Sequence, residues 1–304
     1  MRTLLKWCVS ALLIGFLLYR TPLSDIGSSL ARLDWLTAAG AFVLTCIAWW
    51  LSAVRLAFIA PEFGMGAVVR MTLVGLYYGT VLPGQLTGDF VKAYRLSPAQ
   101  RLPGRAAAVV LVDRVIAMAV LFALGAVTTV YVPEAPRAFA PLLAAGAVAI
   151  ALGVIAVTSP FWTGLLARWS AAVRIRTVGV LAGRLATGLL SVRDHPWGIA
   201  ANCAAALAFH VLCVAIHVML GHALAIELSI AAWAMIYACV SLLLVLPVSI
   251  AGVGLREGGY VGLLALFGVP ASQALSLSFV FLAFTMLGAL FGSIADARGG
   301  ATPA

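Results

Sequence analysis

The stretches Leu82-Pro83-Gly84-Gln85-Leu86-Thr87-Gly88-Asp89-Phe90 and Leu246-Pro247-Val248-Ser249-Ile250-Ala251-Gly252-Val253-Gly254-Leu255-Arg256-Glu257 decide how this chain folds. Both read Leu-Pro, four residues, Gly, with a carboxylate after it, at once in the first and five residues on in the second, and each follows an apolar run. Proline ends the preceding helix and glycine frees the backbone. At membrane depth, broken backbone and ionisable groups persist only where they line a cavity or bind something. A matched pair in the two halves of a chain points to a site between repeats.

The rest of the chain fits that setting. Of 304 residues, 64% are hydrophobic and 10% charged, and the mean hydropathy is +1.12. Such a composition excludes a soluble globular domain and predicts an all-α, polytopic membrane bundle with two re-entrant or broken-helix segments and a candidate internal repeat. About 20 apolar residues cross a bilayer as a helix, which places spans near 4–19, 36–59, 106–132, 138–158, 197–221, 228–247 and 271–293. Residues 66–82 and 257–268 are the re-entrant candidates, and the whole chain reads as one transmembrane domain. Met1 to Arg20 lacks a small-x-small cleavage site and reads as an uncleaved first helix.

The net charge of +9 gathers in loops: Lys92, Arg95, Arg101 and Arg105 in one, Arg168, Arg174, Arg176, Arg184 and Arg193 in another. Both loops are expected on the cytoplasmic side. Basic residues without interleaved aromatics on a soluble module exclude nucleic acid as a partner and favour membrane lipids. In 160–193, Phe161, Trp162, Leu165, Leu166 and Trp169 alternate with arginines, which predicts a basic amphipathic segment on the membrane surface. The five cysteines, Cys8, Cys46, Cys203, Cys213 and Cys239, lie in apolar runs without a CxxC and read as small buried hydrophobes.

The candidate substrate-binding residues cluster at the breaks. Asp89, Lys92 and Arg95 follow the first at helical spacing, so Asp89 can pair with Lys92 while Lys92 and Arg95 share a face. Two cations beside a helix start suit a phosphate; a solvated basic turn is the competing reading. At the second, Gly252 and Gly254 leave amides free, and Arg256-Glu257 opens a helix. Arg256 is the only Lys or Arg between Arg193 and Arg298, and a local pair with Glu257 is its plainer role. Asp113 and Arg114 sit about 12 Å along a predicted span, where a cross-helix ion pair competes with a cavity lining. Arg55 and Arg70, nearer span ends, are expected to snorkel. His210, Cys213 and His217 share a helix face but lack further ligands, so they are expected to pack rather than bind metal. No catalytic motif and no nucleotide-binding loop occurs in the sequence. The expectation is therefore no enzyme, no metal and no cofactor.

On these residues a family resemblance rests. The run "LPVSIAGVGLREGGYVGLLALFGVP", Leu246 to Pro270, resembles the signature of the lysyl-phosphatidylglycerol synthase transmembrane-domain family, also called flippase-like. "LPGQLTGDFVKAYRL", Leu82 to Leu96, and "VVLVDRVIAMAVLF", Val109 to Phe122, are similar to two further motifs. Where many relatives have Gly-Glu this chain has Gly88-Asp89, and Asp113 stands where glutamate is commoner. The resemblance implies a lipid translocase in a bacterial inner membrane, with lipid-biosynthesis enzymes as candidate partners. Its best-known members move aminoacylated phosphatidylglycerol made by a fused transferase. With the sequence given ending at Ala304, aminoacyl-lipid synthesis is not expected. A membrane enzyme acting on a lipid phosphate, for which Ser249 and Glu257 are the nearest candidates, and a small-solute transporter are the alternatives.

Overall fold

The computed structural model describes residues 12–82, 86–96, 103–136, 139–172, 176–193, 195–245, 249 and 252–299, and these hold helices and no strand. In chain order they are α1 (12–20), α2 (Leu23–Leu30), α3 (Trp35–Ile59), α4 (Met65–Val81), α5 (Leu86–Leu96), α6 (Pro103–Thr129), α7 (Phe139–Thr158), α8 (Pro160–Ala172), α9 (Arg176–Arg193), α10 (Pro196–Ala223), α11 (Ile230–Val245), α12 (Leu255–Ala265) and α13 (Ala271–Gly299). Four helices, α3, α6, α10 and α13, are long and apolar enough to cross a membrane. On α7, Val148, Leu152 and Ile155 recur at helical spacing and point outward, 58%, 60% and 63% exposed. That apolar face fits lipid rather than water. Outside the spans, Asp34 caps α3, accepting from the Thr37 hydroxyl at 2.6 Å and the Thr37 amide at 2.9 Å; these bonds, the hydroxyl's first, hold its carboxyl below the usual range.

The two breaks build two hairpins that enter from opposite ends of the bundle. Before α4, Glu62 accepts from Arg105 Nε at 2.7 Å, and Arg105 Nη2 donates to the Ile59 carbonyl at 3.1 Å. Arg105 lies in the first turn of α6, so the chain returns after α4 and α5 to the end at which α4 started. The α11–α12 hairpin starts where α10 stops. His217, near the end of α10, packs on Trp233 and Tyr237 of the ingoing helix, and its Nε2 lies 2.7 Å from the hydroxyl of Tyr260 on the returning one. Helix α12 runs against α13, with Glu257 beside Ser278 and Arg256 beside Thr285. Its start thus lies about 10–20 Å along α13 from Ala271. The tip residues Pro83, Gly84, Gln85, Pro247, Val248, Ile250 and Ala251, the first part of the span near 4–19 with Cys8, and Arg101 lie outside the described residues.

Small residues let these segments touch. Gly88 of α5 sits on the backbone of α4, against the Gly75 carbonyl and close to Gly79. A methyl group there would lie 3.2 Å from the Gly79 nitrogen and closer still to Gly75. Gly88→Ala is therefore expected to cost about 1–3 kcal/mol by prising the hairpin open. Gly66→Ala, where a Cβ meets nothing within 4 Å, is the control and should be neutral or slightly stabilising. Equal melting temperatures for the two variants in detergent would contradict this packing.

Residues 160–193 depart from the single amphipathic segment. They form two helices packed on each other, and α9 also packs on α6. Ala186, Leu189 and Val192 are buried, and Gly188 lies against the Gly104 backbone. The face of α9 that carries Ala186, Leu189 and Val192 is thus taken up inside the protein, while Val180 and Leu190 stay exposed. Only α8 keeps an open aromatic face, with Phe161, Trp162, Leu165 and Trp169 exposed.

Candidate functional site

Ionisable side chains placed inside an apolar bundle must find partners, and most here do. Arg55 of α3 grips Asp113 of α6 through two bonds, Nε to Oδ1 at 2.6 Å and Nη2 to Oδ2 at 2.9 Å. Asn202 of α10 closes the group, its Nδ2 donating to Asp113 Oδ1 at 2.9 Å and to the Arg55 carbonyl at 2.7 Å. All three side chains are buried. The expectation of a snorkelling Arg55 is thus corrected: it points inward and ties three helices together. Asp113, expected at the substrate, is committed to that tie.

Helix α5 brings Asp89 to the same region. It lies 3.6 Å from Lys92 and 3.7 Å from Arg114, and its Oδ2 is buried without a hydrogen bond among the described residues. Arg114 is about 16 Å along α6 from Pro103, roughly half the thickness of a bilayer core. Arg95 goes elsewhere. It pairs with Asp296 of α13 at 2.7 Å, and Tyr78 donates to the same carboxylate at 2.9 Å. Its guanidinium fastens α5 to the end of α13 and does not line either cavity described below.

At the second break, Gly252 and Gly254 adopt φ of 78° and 84°, a left-handed turn that side chains resist. Glu257 is fully buried; its Oε2 accepts from the Gly254 amide at 2.6 Å and its Oε1 from Ser278 at 2.9 Å. Expected as a substrate contact, Glu257 instead caps its own helix, because the amide at Gly254 is the nearest buried donor. That amide, expected free for an anion, is taken. Arg256 behaves differently. It is 6% exposed, its Nε is 3.6 Å from Glu257, and the side-chain hydrogen bond it makes among the described residues, Nη1 to Thr285, is long at 3.4 Å. Nε and Nη2 have no hydrogen-bond partner among the described residues.

Arg256 also borders open space. A cavity of about 260 Å³ is lined by Arg256, Thr285, Tyr260, His217, Trp49 and Phe281, among others. A second, of about 200 Å³, is lined by Arg55, Arg114 and His210. The two share Phe209, Tyr237, Ser241 and Leu244, so they adjoin. The α4–α5 hairpin reaches the first cavity through Leu76 and contacts Arg114 of the second through Asp89. The breaks therefore converge on one divided interior.

Tyr237 stands in the wall the two cavities share, with His210 on one side and His217 on the other. His210 Nδ1 lies 2.8 Å from the Tyr237 hydroxyl and Nε2 2.9 Å from the Ala117 carbonyl. His217 Nδ1 lies 2.7 Å from the Cys213 carbonyl. Both rings are bound to neighbouring helices, as polar packing requires. Among the described residues no cluster of three metal-ligating side chains occurs.

Sequence reasoning missed Arg55, Asn202, Tyr237, Tyr260 and Asp296. Asn202 carried a signal: it is the only asparagine in the chain and lies in an apolar run.

A family model described as lysylphosphatidylglycerol synthase TM region matches residues 3–292. No curated protein and no solved structure matches the chain.

Proposed function

The chain belongs to the lysylphosphatidylglycerol synthase TM region family, and from that membership and the paired cavities we propose that it carries a phosphate-bearing lipid between membrane leaflets, without ATP and without altering the lipid. One observation carries the reading: Arg256 is buried at the start of α12 and lines a cavity, and its Nε and Nη2 have no hydrogen-bond partner among the described residues. An arginine in that condition is costly to the free protein and is relieved by a phosphate accepting in bidentate fashion. Hairpins from opposite ends supply a natural gate at each leaflet, as in transporters with broken helices around a central site. Arg114, with Asp89 and Lys92 behind it, offers a second cation one partition away. The acyl chains stay in the hydrocarbon.

Hydrolysis is the less favoured reading. Glu257, the nearest candidate base, already accepts two hydrogen bonds, which suits a cap and not a proton acceptor. The test follows labelled phospholipid in nucleotide-free proteoliposomes, reading leaflet and chemical identity on the same sample. The expected result is movement with the lipid recovered unchanged by chromatography. A dephosphorylated or headgroup-exchanged product, lost in Glu257→Gln, would overturn it.

A further inference from the structure

The carboxylates around the cavities do not match the cations in number. Arg55, Lys92, Arg114 and Arg256 face Asp89, Asp113 and Glu257, one fewer. The side chains of Arg55, Lys92, Arg256 and Glu257 are all less than 10% exposed. None of the carboxylates lines either cavity, whereas Arg256 lines one and Arg55 and Arg114 the other. Asp113 and Glu257 have their oxygens turned into the protein. The buried cations each have a carboxylate, so the surplus falls on Arg114, whose side chain is 34% exposed; cavity walls that hold arginines and no carboxylate among the described residues favour an anion, and a single one removes the excess.

We infer that the site selects a lipid whose headgroup carries one net negative charge and no ammonium group, and rejects aminoacylated and zwitterionic lipids. This rests on the translocase reading for its view of the occupant as a lipid. A phosphodiester monoanion of the phosphatidylglycerol type cancels the excess and accepts from Arg256. A zwitterionic headgroup leaves the excess in place and brings an ammonium toward walls lined by Arg256, His217, Tyr260, Thr285 and Trp49, with no carboxylate to receive it. A lysyl-bearing headgroup, with net positive charge, adds to the excess. The preference is therefore set by what the cavity walls lack as much as by Arg256.

The test uses the full chain in phosphatidylcholine nanodiscs doped with phosphatidylglycerol, lysyl-phosphatidylglycerol or phosphatidic acid. Lipid retained through repurification is measured by mass spectrometry. Phosphatidylglycerol should be retained at least about tenfold over the other two headgroup classes, phosphatidylcholine and the lysyl lipid, a ratio corresponding to about 1.4 kcal/mol. Arg256→Gln should erase that ratio. Asp89→Asn removes a carboxylate and leaves two cations in excess. It should shift the preference to phosphatidic acid at mildly alkaline pH, where a phosphate monoester carries its second charge. Equal retention of the lysyl lipid, or a preference that survives Arg256→Gln, overturns the inference. If Arg256→Gln does not fold, the Asp89→Asn shift decides, and its absence overturns it. Heat stabilisation by inorganic phosphate alone, as strong as that by phosphatidylglycerol and lost in Arg256→Gln, would make the ligand a free phosphate and also overturn it. Leaflet exchange in liposomes, run in parallel, separates the two readings. Selective retention without exchange removes the translocase and leaves this inference standing; exchange indifferent to headgroup charge does the reverse.

Discussion

Asp113→Ala is expected to destabilise the protein by about 3–5 kcal/mol, because it strands Arg55 as an unpaired charge among α3, α6 and α10. The pair is bidentate, and both side chains are 6% exposed. Asn202 would lose one of its two acceptors as well. Replacing both partners, Arg55→Met with Asp113→Leu, should cost much less than the single change, since a buried pair contributes little beyond an apolar one of similar volume. Reversible unfolding in mixed micelles measures both. A single variant within about 1 kcal/mol of the parent, the size of an exposed ion pair, would contradict the tie.

Arg256→Ala is expected to slow lipid exchange at least about thirtyfold while leaving the protein folded. Losing one partner of a desolvated charge pair costs about 2–5 kcal/mol of binding, and here the partner lost is the proposed phosphate contact. The fold should persist because Glu257 keeps the Gly254 amide and Ser278 as donors without Arg256. Arg256→Lys should recover part of the rate, since it restores the charge but not the fork. Exchange at the parent rate by a folded alanine variant would remove Arg256 from the mechanism.

The architecture was largely legible because lipid leaves few options. Runs too apolar for water had to become helices, and glycine and proline between them had to mark turns. The two hairpins follow from that logic, although their entry from opposite ends appears only when Glu62 meets Arg105 and His217 meets Tyr260. The site was legible in its location and less so in its roles. Arg256 and Arg114 reach the cavities as their positions suggested. Asp113 and Arg95 are drawn off by Arg55 and Asp296, which lie 58 and 201 residues away in sequence. Local spacing carries no information about such partners. Glu257 is the opposite case, since a carboxylate three residues past Gly254 is the spacing of a cap. The alternation in 160–193 was real, but periodicity alone does not tell a helix face bound by lipid from one bound by α6.

The account turns most directly on phosphatidylglycerol movement in sealed, nucleotide-free proteoliposomes. A headgroup-labelled lipid in both leaflets is exposed to a membrane-impermeant quencher. The account predicts that vesicles holding the protein lose nearly all the signal, whereas protein-free vesicles lose only the outer-leaflet share. Signal loss identical to that of protein-free vesicles, across a range of protein densities, would contradict it.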